Sequence, residues 1–173
     1  MSSRVKCRGP VVLDTGFLIS LASRVRPDHD TAKRYFAFWV ESRTPMFLPS
    51  ICLAEYLVRA DAVPPNILRY VSVKSFTVED ASCAGRLLRE GVLSRAEDQK
   101  TGRPIFKDDV KIIGSALSLR AAAIATADEK TMCKYVNAVA GNVREARGLI
   151  AISTRSAFNR GLAELASPDL GLE

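Results

Sequence analysis

Four acidic residues stand where purely structural needs do not require them. Asp14 ends the short apolar run VVL, and Glu55 lies inside SICLAEYLVRA. Asp109, with Asp108 just before it, opens the stretch VKIIGSALSL, and Asp128 follows AIAT after one residue. Each has an ordinary alternative. The aspartates can cap helices or offset a helix dipole, and Glu55 can sit on a rim with its carboxylate in water. Taken together they have another. Carboxylates that converge on one cleft repel and do not all stay ionised without a cation. With no histidine or cysteine among them, every ligand is a hard oxygen, which selects Mg²⁺ or Mn²⁺ over zinc. The chemistry suited to such a site is phosphoryl hydrolysis, in which a cation lowers the pKa of a water and stabilises the leaving oxygen. Thr15 and Thr126, each beside one of the acids, can hydrogen-bond a ligand or phosphate; both also suit the ends of strands.

For those acids to meet, the chain must bring distant segments to one edge. Val11 to Leu13 reads as a buried strand, bounded by Pro10 and Asp14-Thr15-Gly16. Phe17 to Val25 reads as a helix, and Asp28 or Asp30 caps a second one that runs to about Ser42. Met46 to Leu48 is a strand stopped by Pro49, and Ser50 caps a helix over Ile51 to about Ala60, with Ile51, Ala54 and Val58 as its apolar stripe. A short helix around Asn66 to Tyr70 and a strand over Val71 to Phe76 follow. Thr77 with Asp80 resembles a capping box, opening a helix that carries Ala81, Ala84, Leu87 and Leu88. Residues 95–107 are polar, contain Gly102 and Pro104, and read as a loop before a helix opened by Asp109. That helix's stripe, centred between Ile112 and Ile113, is in line with Asp109, whereas Asp108 is rotated towards a cap or solvent. Ala123 to Thr126 is a strand, Asp128 starts a helix, Leu149 to Ile152 is the last strand and Ser156 to Ala166 the last helix. Strands that alternate with helices specify an α/β fold, a mainly parallel twisted sheet in a three-layer α/β/α arrangement. In such sheets ligands sit beyond the carboxyl ends of the strands.

Residues 1–9 read as a polar lead-in, 10–166 as a single domain and 167–173 as a tail. The 173 residues are enough for one domain with a sizeable core. A 47% apolar and 25% charged composition excludes a disordered or collagen-like chain. The net charge of +6 favours a polyanionic partner. No apolar run is long enough to span a bilayer, no signal peptide is read, and the four scattered cysteines fit a reduced, cytoplasmic protein without structural zinc. A single histidine, His29, weakens any mechanism built on imidazole.

The DT of VVLDTGFLI, the helical Glu of PSICLAEYL, the D-x-x-I-x-G-x-A of DVKIIGSA and the T-x-D of IATADEK occur in the order and spacing of PIN domains. The sequence resembles a PIN-domain ribonuclease, and most of all the VapC-type toxins of toxin–antitoxin pairs, from about Val11 to Phe158. The resemblance implies that Asp14, Glu55, Asp109 and Asp128 are the catalytic acids and that Asp14, Asp109 and Asp128 hold the metal. Thr15, Thr126 and Asp108 would support them. It also implies RNA cleavage leaving a 5′-phosphate and a 3′-hydroxyl. Two features differ from the family pattern: Gly114 stands where small toxin-type members often have Ala, and Asp108 beside Asp109 leaves the third acid open between two positions.

For RNA phosphates, Lys107, Lys111 and Lys130 are the first candidates, with Lys100, Arg103, Arg120 and Lys134 behind them. For each, a solvated surface charge is the alternative. The aromatic cluster Tyr35, Phe36, Phe38 and Trp39 exceeds one core-facing stripe, so an antitoxin segment, a second protomer or neighbouring helices of the same chain must cover it. DTG also marks aspartic proteases, but those need β structure after it and a second DTG or a homodimer. A receiver-type phosphoacceptor needs an acidic pair and a late lysine that are not evident here. A non-catalytic PIN-like scaffold that binds RNA or protein is the remaining alternative to an enzyme.

Overall fold

The structure, a computed structural model, describes residues 9–93 and 103–167, with 103–107 as backbone. The elements are β1 (Val11–Leu13), α1 (Thr15–Ala22), α2 (His29–Glu41), β2 (Met46–Pro49), α3 (Ser50–Leu57), α4 (Pro65–Leu68) and β3 (Val71–Lys74). They continue with α5 (Val78–Arg89), α6 (Arg103–Ser118), β4 (Ala123–Thr126), α7 (Met132–Asn142), a 3-10 turn (Arg144–Ala146), β5 (Ile150–Ser153) and α8 (Arg160–Leu165). The sheet is parallel throughout, in the order β3-β2-β1-β4-β5. Val11, Val12 and Leu13 are fully buried, as are Ala123, Ile124 and Ala125. Continuous burial of this kind needs helices on both faces, because alternate side chains leave the sheet on opposite sides. This is the expected α/β/α fold.

The order matters for function. The chain moves outwards from β1 through β2 to β3, then returns to lay β4 on the other side of β1. The direction reverses between β1 and β4, the crevice where ligands bind in doubly wound sheets. Asp14 follows β1 and Asp128 follows β4, so both strand-end acids flank that point. Gly16 allows the close approach: a Cβ there would lie 3.2 Å from the Cβ of Ala127. α1 can therefore start hard against the turn after β4.

Several elements differ from the sequence expectation. The segment 94–102, most of the expected loop, lies outside the described residues, as do most of the expected lead-in and tail. The last part of that loop, 103–107, is helix: Pro104 falls in the first turn of α6, where the missing N–H costs nothing. Asp108 and Asp109 are thus inside a helix and cap nothing. α7 begins at Met132, four residues beyond Asp128, which sits in the preceding turn. α8 starts at Arg160, capped by Asn159, whose side chain accepts from the Leu162 N–H at 3.1 Å. α3 buries Cys52 and Tyr56, not the expected stripe; Val58 is 83% exposed. Apolar residues lie on every side of this short helix, so its own pattern does not choose a buried face; contact with α1 does. Asp28 precedes α2 without making a side-chain cap.

The capping box forms as expected, with Thr77 and Asp80 satisfying each other's backbone N–H. Asp80 does more. It is fully buried and also takes hydrogen bonds from Lys74 of β3 and Ser118 of α6, tying three elements together. α5 and α6 meet at Gly114, where a Cβ would come within 2.7 Å of the Asp80 carbonyl oxygen and 2.9 Å of the Ala84 Cβ. Glycine here is a packing requirement. Gly114→Val is expected to push the helices apart and cost about 1–3 kcal/mol, as overpacking typically does. A thermal melt should show Tm lower by several degrees. Gly85→Ala is the control: nothing lies within 4 Å of a Cβ at Gly85, so this change within α5 should leave Tm unchanged or raise it.

Half of the aromatic cluster is covered within the chain, while Phe36 and Phe38 stay half-buried. Tyr35 and Trp39 are buried and stack at 5.5 Å, while Phe158 packs against Tyr35 at 4.8 Å. Phe36 meets the edge of Tyr70 at 6.2 Å. Among the described residues, no helix is long and apolar enough to cross a membrane.

Candidate functional site

Asp14 is the centre of the site. It caps α1, its Oδ1 accepting from the Thr15 N–H at 2.8 Å, and its Oδ2 accepts from the Thr126 hydroxyl at 2.6 Å. The Thr126 hydroxyl oxygen in turn accepts the Asp128 N–H at 2.9 Å. On the other side the Thr15 hydroxyl donates to Oε2 of Glu55. A continuous chain of hydrogen bonds therefore runs Glu55–Thr15–Asp14–Thr126–Asp128 and joins α3, α1, β4 and the turn after β4. Both threonines singled out from sequence give their hydroxyl to a carboxylate, Thr15 to Glu55 and Thr126 to Asp14, and their remaining links run through backbone N–H groups.

Asp109 enters from α6. Its Oδ2 is buried and has no hydrogen-bond partner. Burial, then the charges of Asp14, Asp128, Glu55 and Asp108, push its carboxyl up to about 8. Repulsion from Asp14, Asp128 and Glu55 together places Asp109 among the other three acids. Asp14 is raised to about 6, chiefly by burial, with Glu55 adding repulsion against the hydrogen bonds from Thr126 and Thr15. Asp108 faces away: it is half-exposed and pairs with Lys111 at 2.8 Å. Asp128 lies in a turn, its Oδ1 accepting the N–H groups of Lys130 at 3.0 Å and Thr131 at 2.9 Å. Glu55 is exposed at the rim. Cys52 lies beside the cluster, but burial and the neighbouring Asp14 charge push its thiol well above the ordinary range. It is an apolar packing residue here.

Four carboxylates from four segments thus approach one place. A raised carboxyl with a bare, buried oxygen is a group waiting for a positive partner. The donor set is carboxylate oxygen only, which fits a hard divalent cation such as Mg²⁺ or Mn²⁺. Among the described residues, no group of three or more His, Cys, Asp or Glu already stands in ligating geometry. The hydrogen bonds explain this, since each acid except Asp109 is turned towards a hydroxyl or N–H. Mg²⁺ is commonly held by one or two carboxylates with waters completing the shell, so a closed cage is not required.

The cations are less concentrated than the sequence suggested. Lys130 is in the turn beside Asp128, and Lys111 is engaged by Asp108. Lys107 belongs to the part of α6 whose side chains lie outside the described residues, and the side chains of Lys100 and Arg103 lie outside them too. Arg120 precedes β4 and lines a cleft with Arg86 and Leu149, at the amino ends of the strands and away from the acids. Two cations that the sequence did not single out, Arg26 and Arg155, line a cavity with Asp128. No local pattern links them, because they are far apart in the chain.

Among the solved structures, this chain is similar to VapBC2 from Rickettsia felis, bound to a DNA fragment from their promoter. The identity is 15%, the TM-score 0.55, and the match covers 83% of this chain and 97% of that one. It is also similar to VapC20 from Mycobacterium tuberculosis, a Sarcin-Ricin loop cleaving toxin, at 16% identity and TM-score 0.48, over 70% of this chain and 92% of that one. No family model and no curated protein matches. The fold is therefore the PIN-like α/β/α fold that the sequence resemblance implied.

Proposed function

We propose that this chain is a divalent-cation-dependent endoribonuclease that hydrolyses RNA phosphodiester bonds at the carboxylate cluster, and that it is the toxin of a toxin–antitoxin pair. The observation that carries this reading is Asp109, half-buried, whose buried Oδ2 has no partner and whose carboxyl feels the charges of the three other acids at the sheet's switch point. Asp14, Asp109 and Asp128 would hold Mg²⁺ or Mn²⁺, and Glu55 completes the acidic set. A divalent ion bound there supplies Lewis acidity, lowering the pKa of a water and offsetting charge on the phosphate. The protein's own groups do the rest. Thr126 binds the Asp14 carboxylate and the Asp128 N–H, Thr15 binds Glu55, and Asp109 offers a buried oxygen with no other partner. Lys107, Lys111 and Lys130 are the lysines proposed to meet RNA phosphates. Cleavage would leave a 5′-phosphate and a 3′-hydroxyl.

The fold likeness to a chain of the VapBC2 structure supports an antitoxin as protein partner, and a homodimer is a further expectation. An apolar groove lined by Leu21, Phe36, Val40, Ile67 and Tyr70 is open to such a partner. A cytoplasmic setting and a single domain over 10–166 belong to the same reading.

Purified protein incubated with a pool of structured RNAs is expected to cleave with Mg²⁺ or Mn²⁺ and to stop in EDTA. The new ends should be 5′-phosphates, ready for ligation without kinase treatment. Cleavage that continues in EDTA would exclude the proposed chemistry, and RNA bound but left intact would point to the scaffold alternative.

A further inference from the structure

Next to the carboxylate cluster lies a cavity of about 480 Å³ that shares Gly16 and Asp128 with it. Arg26, Lys130 and Arg155 line its walls. Two of these cations are braced from behind. Arg26 comes from the link between α1 and α2, and Arg155 follows β5; both turn Nε towards one carboxylate, Asp28. The separations are 3.6 Å to Oδ1 and 3.8 Å to Oδ2. Asp28 is 4% exposed, and its Oδ2 accepts hydroxyls from Ser20 at 2.7 Å and Thr154 at 2.6 Å. Burial alone would raise its carboxyl; the Thr154 and Ser20 hydroxyls and the Arg26 charge outweigh that and hold it below the usual range. The anchor is therefore a fixed anion between two guanidinium groups.

A guanidinium has terminal amino groups beyond Nε, in a planar fork that fits phosphate oxygens. Nε of each faces Asp28, and both arginines line the cavity. Among the described residues neither fork donates to an acceptor. The Nε of Arg26 and Oδ1 of Asp28 are buried and unbonded, close but not closed on each other. Asp28 lies between the two guanidiniums, and Lys130 stands on the same wall. Asp128 and Glu129 line it too, so with Asp28 three carboxylates accompany the three cations, and the Ser153 and Ser156 hydroxyls, helped by the Arg155 charge, lower the Glu129 carboxyl. Both wall acids already have donors. Glu129 accepts the hydroxyls of Ser153 at 2.7 Å and Ser156 at 3.0 Å, and Asp128 accepts two backbone N–H groups.

We propose that Arg26 and Arg155, positioned by Asp28 and assisted by Lys130, form a subsite for an RNA phosphate adjacent to the one at the carboxylate cluster. The identity of the polyanion as RNA rests on the nuclease reading above. The shared wall means that a strand passing the acids also passes this cavity.

The test is RNA binding by fluorescence anisotropy over a series of salt concentrations, in the Asp14→Asn background so that the RNA stays intact. Arg26→Gln with Arg155→Gln is expected to weaken binding at least tenfold. The slope of log K against log salt should also fall by about 1.4, since each lost contact to a single strand is worth about 0.7. Arg26→Lys with Arg155→Lys should restore the slope but only part of the affinity. Asp28→Asn, which keeps both cations but frees them, should weaken binding with the slope retained. An unchanged affinity and slope in the double Gln variant would overturn the subsite, even if the wild type cleaves RNA. Binding that depends on the two arginines in a protein that cleaves nothing would support the subsite and sink the nuclease reading. A wild type that binds no RNA would sink both.

Discussion

Asp14→Asn is expected to lower RNA cleavage by about three orders of magnitude or more while leaving the fold intact, on the scale of losing an electrostatic group that acts on developing charge. The substitution suits the site sterically. Asn is as good an N-cap as Asp, so the Thr15 N–H keeps its acceptor. The Thr126 hydroxyl loses an acceptor but can take a hydrogen bond from the new amide through its free lone pair. What is lost is the negative charge. Because burial already holds this carboxyl up at about 6, removing it relieves an unfavourable charge above that pH. Activity and stability should therefore move in opposite directions. A cleavage assay and a thermal melt on the same preparation check this. Cleavage at wild-type rates would remove Asp14 from the mechanism, and a collapsed melt would show its role to be structural.

The second large effect is on pH dependence. Asp109 has its carboxyl raised from 3.8 to about 8, and Asp14 from 3.8 to about 6, both chiefly by burial. The folded protein thus binds these protons more tightly than the unfolded chain does. Stability from the two groups is fully present below pH about 4 and is lost as pH rises through about 6 and then about 8. In EDTA, Tm should fall across that window beyond the trend set by the other groups. Asp109→Asn should flatten the upper part of the fall. At a pH of about 8 it should be more stable than wild type by about 2–3 kcal/mol, less than the full shift at about 1.4 kcal/mol per unit because the acids share their repulsion. Adding Mn²⁺ at that pH should raise the wild-type Tm, by about 2.7 kcal/mol of stabilisation at roughly a hundredfold excess over Kd, and leave Asp109→Asn nearly unmoved. A pH profile identical in the two proteins would mean that Asp109 is not the repelled group of the cluster.

The acids themselves were legible from their residue types. Asp14 and Asp128 follow strands made obvious by apolar runs, and Asp109 shares the period of Ile112, Ile113 and Ala116. The separation of Asp109 from Asp108 was legible for the same reason: one residue is a turn of about 100° around a helix. The capping box of Thr77 and Asp80 is local chemistry and was read directly. Element starts were harder. Pro104 suggested a loop, but proline is equally at home in a first helical turn, which is where it falls in α6.

Local sequence settled what depends on neighbours along the chain: the strands, most of the helices and the parallel α/β class, and it singled out the four candidate acids. It could not settle what depends on rotation and distance between segments. The face that α3 buries, the hydroxyl links from Thr15 to Glu55 and from Thr126 to Asp14, and the meeting of Arg155 with Asp28 all join segments far apart in the chain. Such contacts carry no periodicity, because their partners are chosen by how helices pack across the sheet. Tertiary structure alone decides which charges end up facing each other, since Coulomb energy and desolvation depend on separation in space and not on separation in sequence.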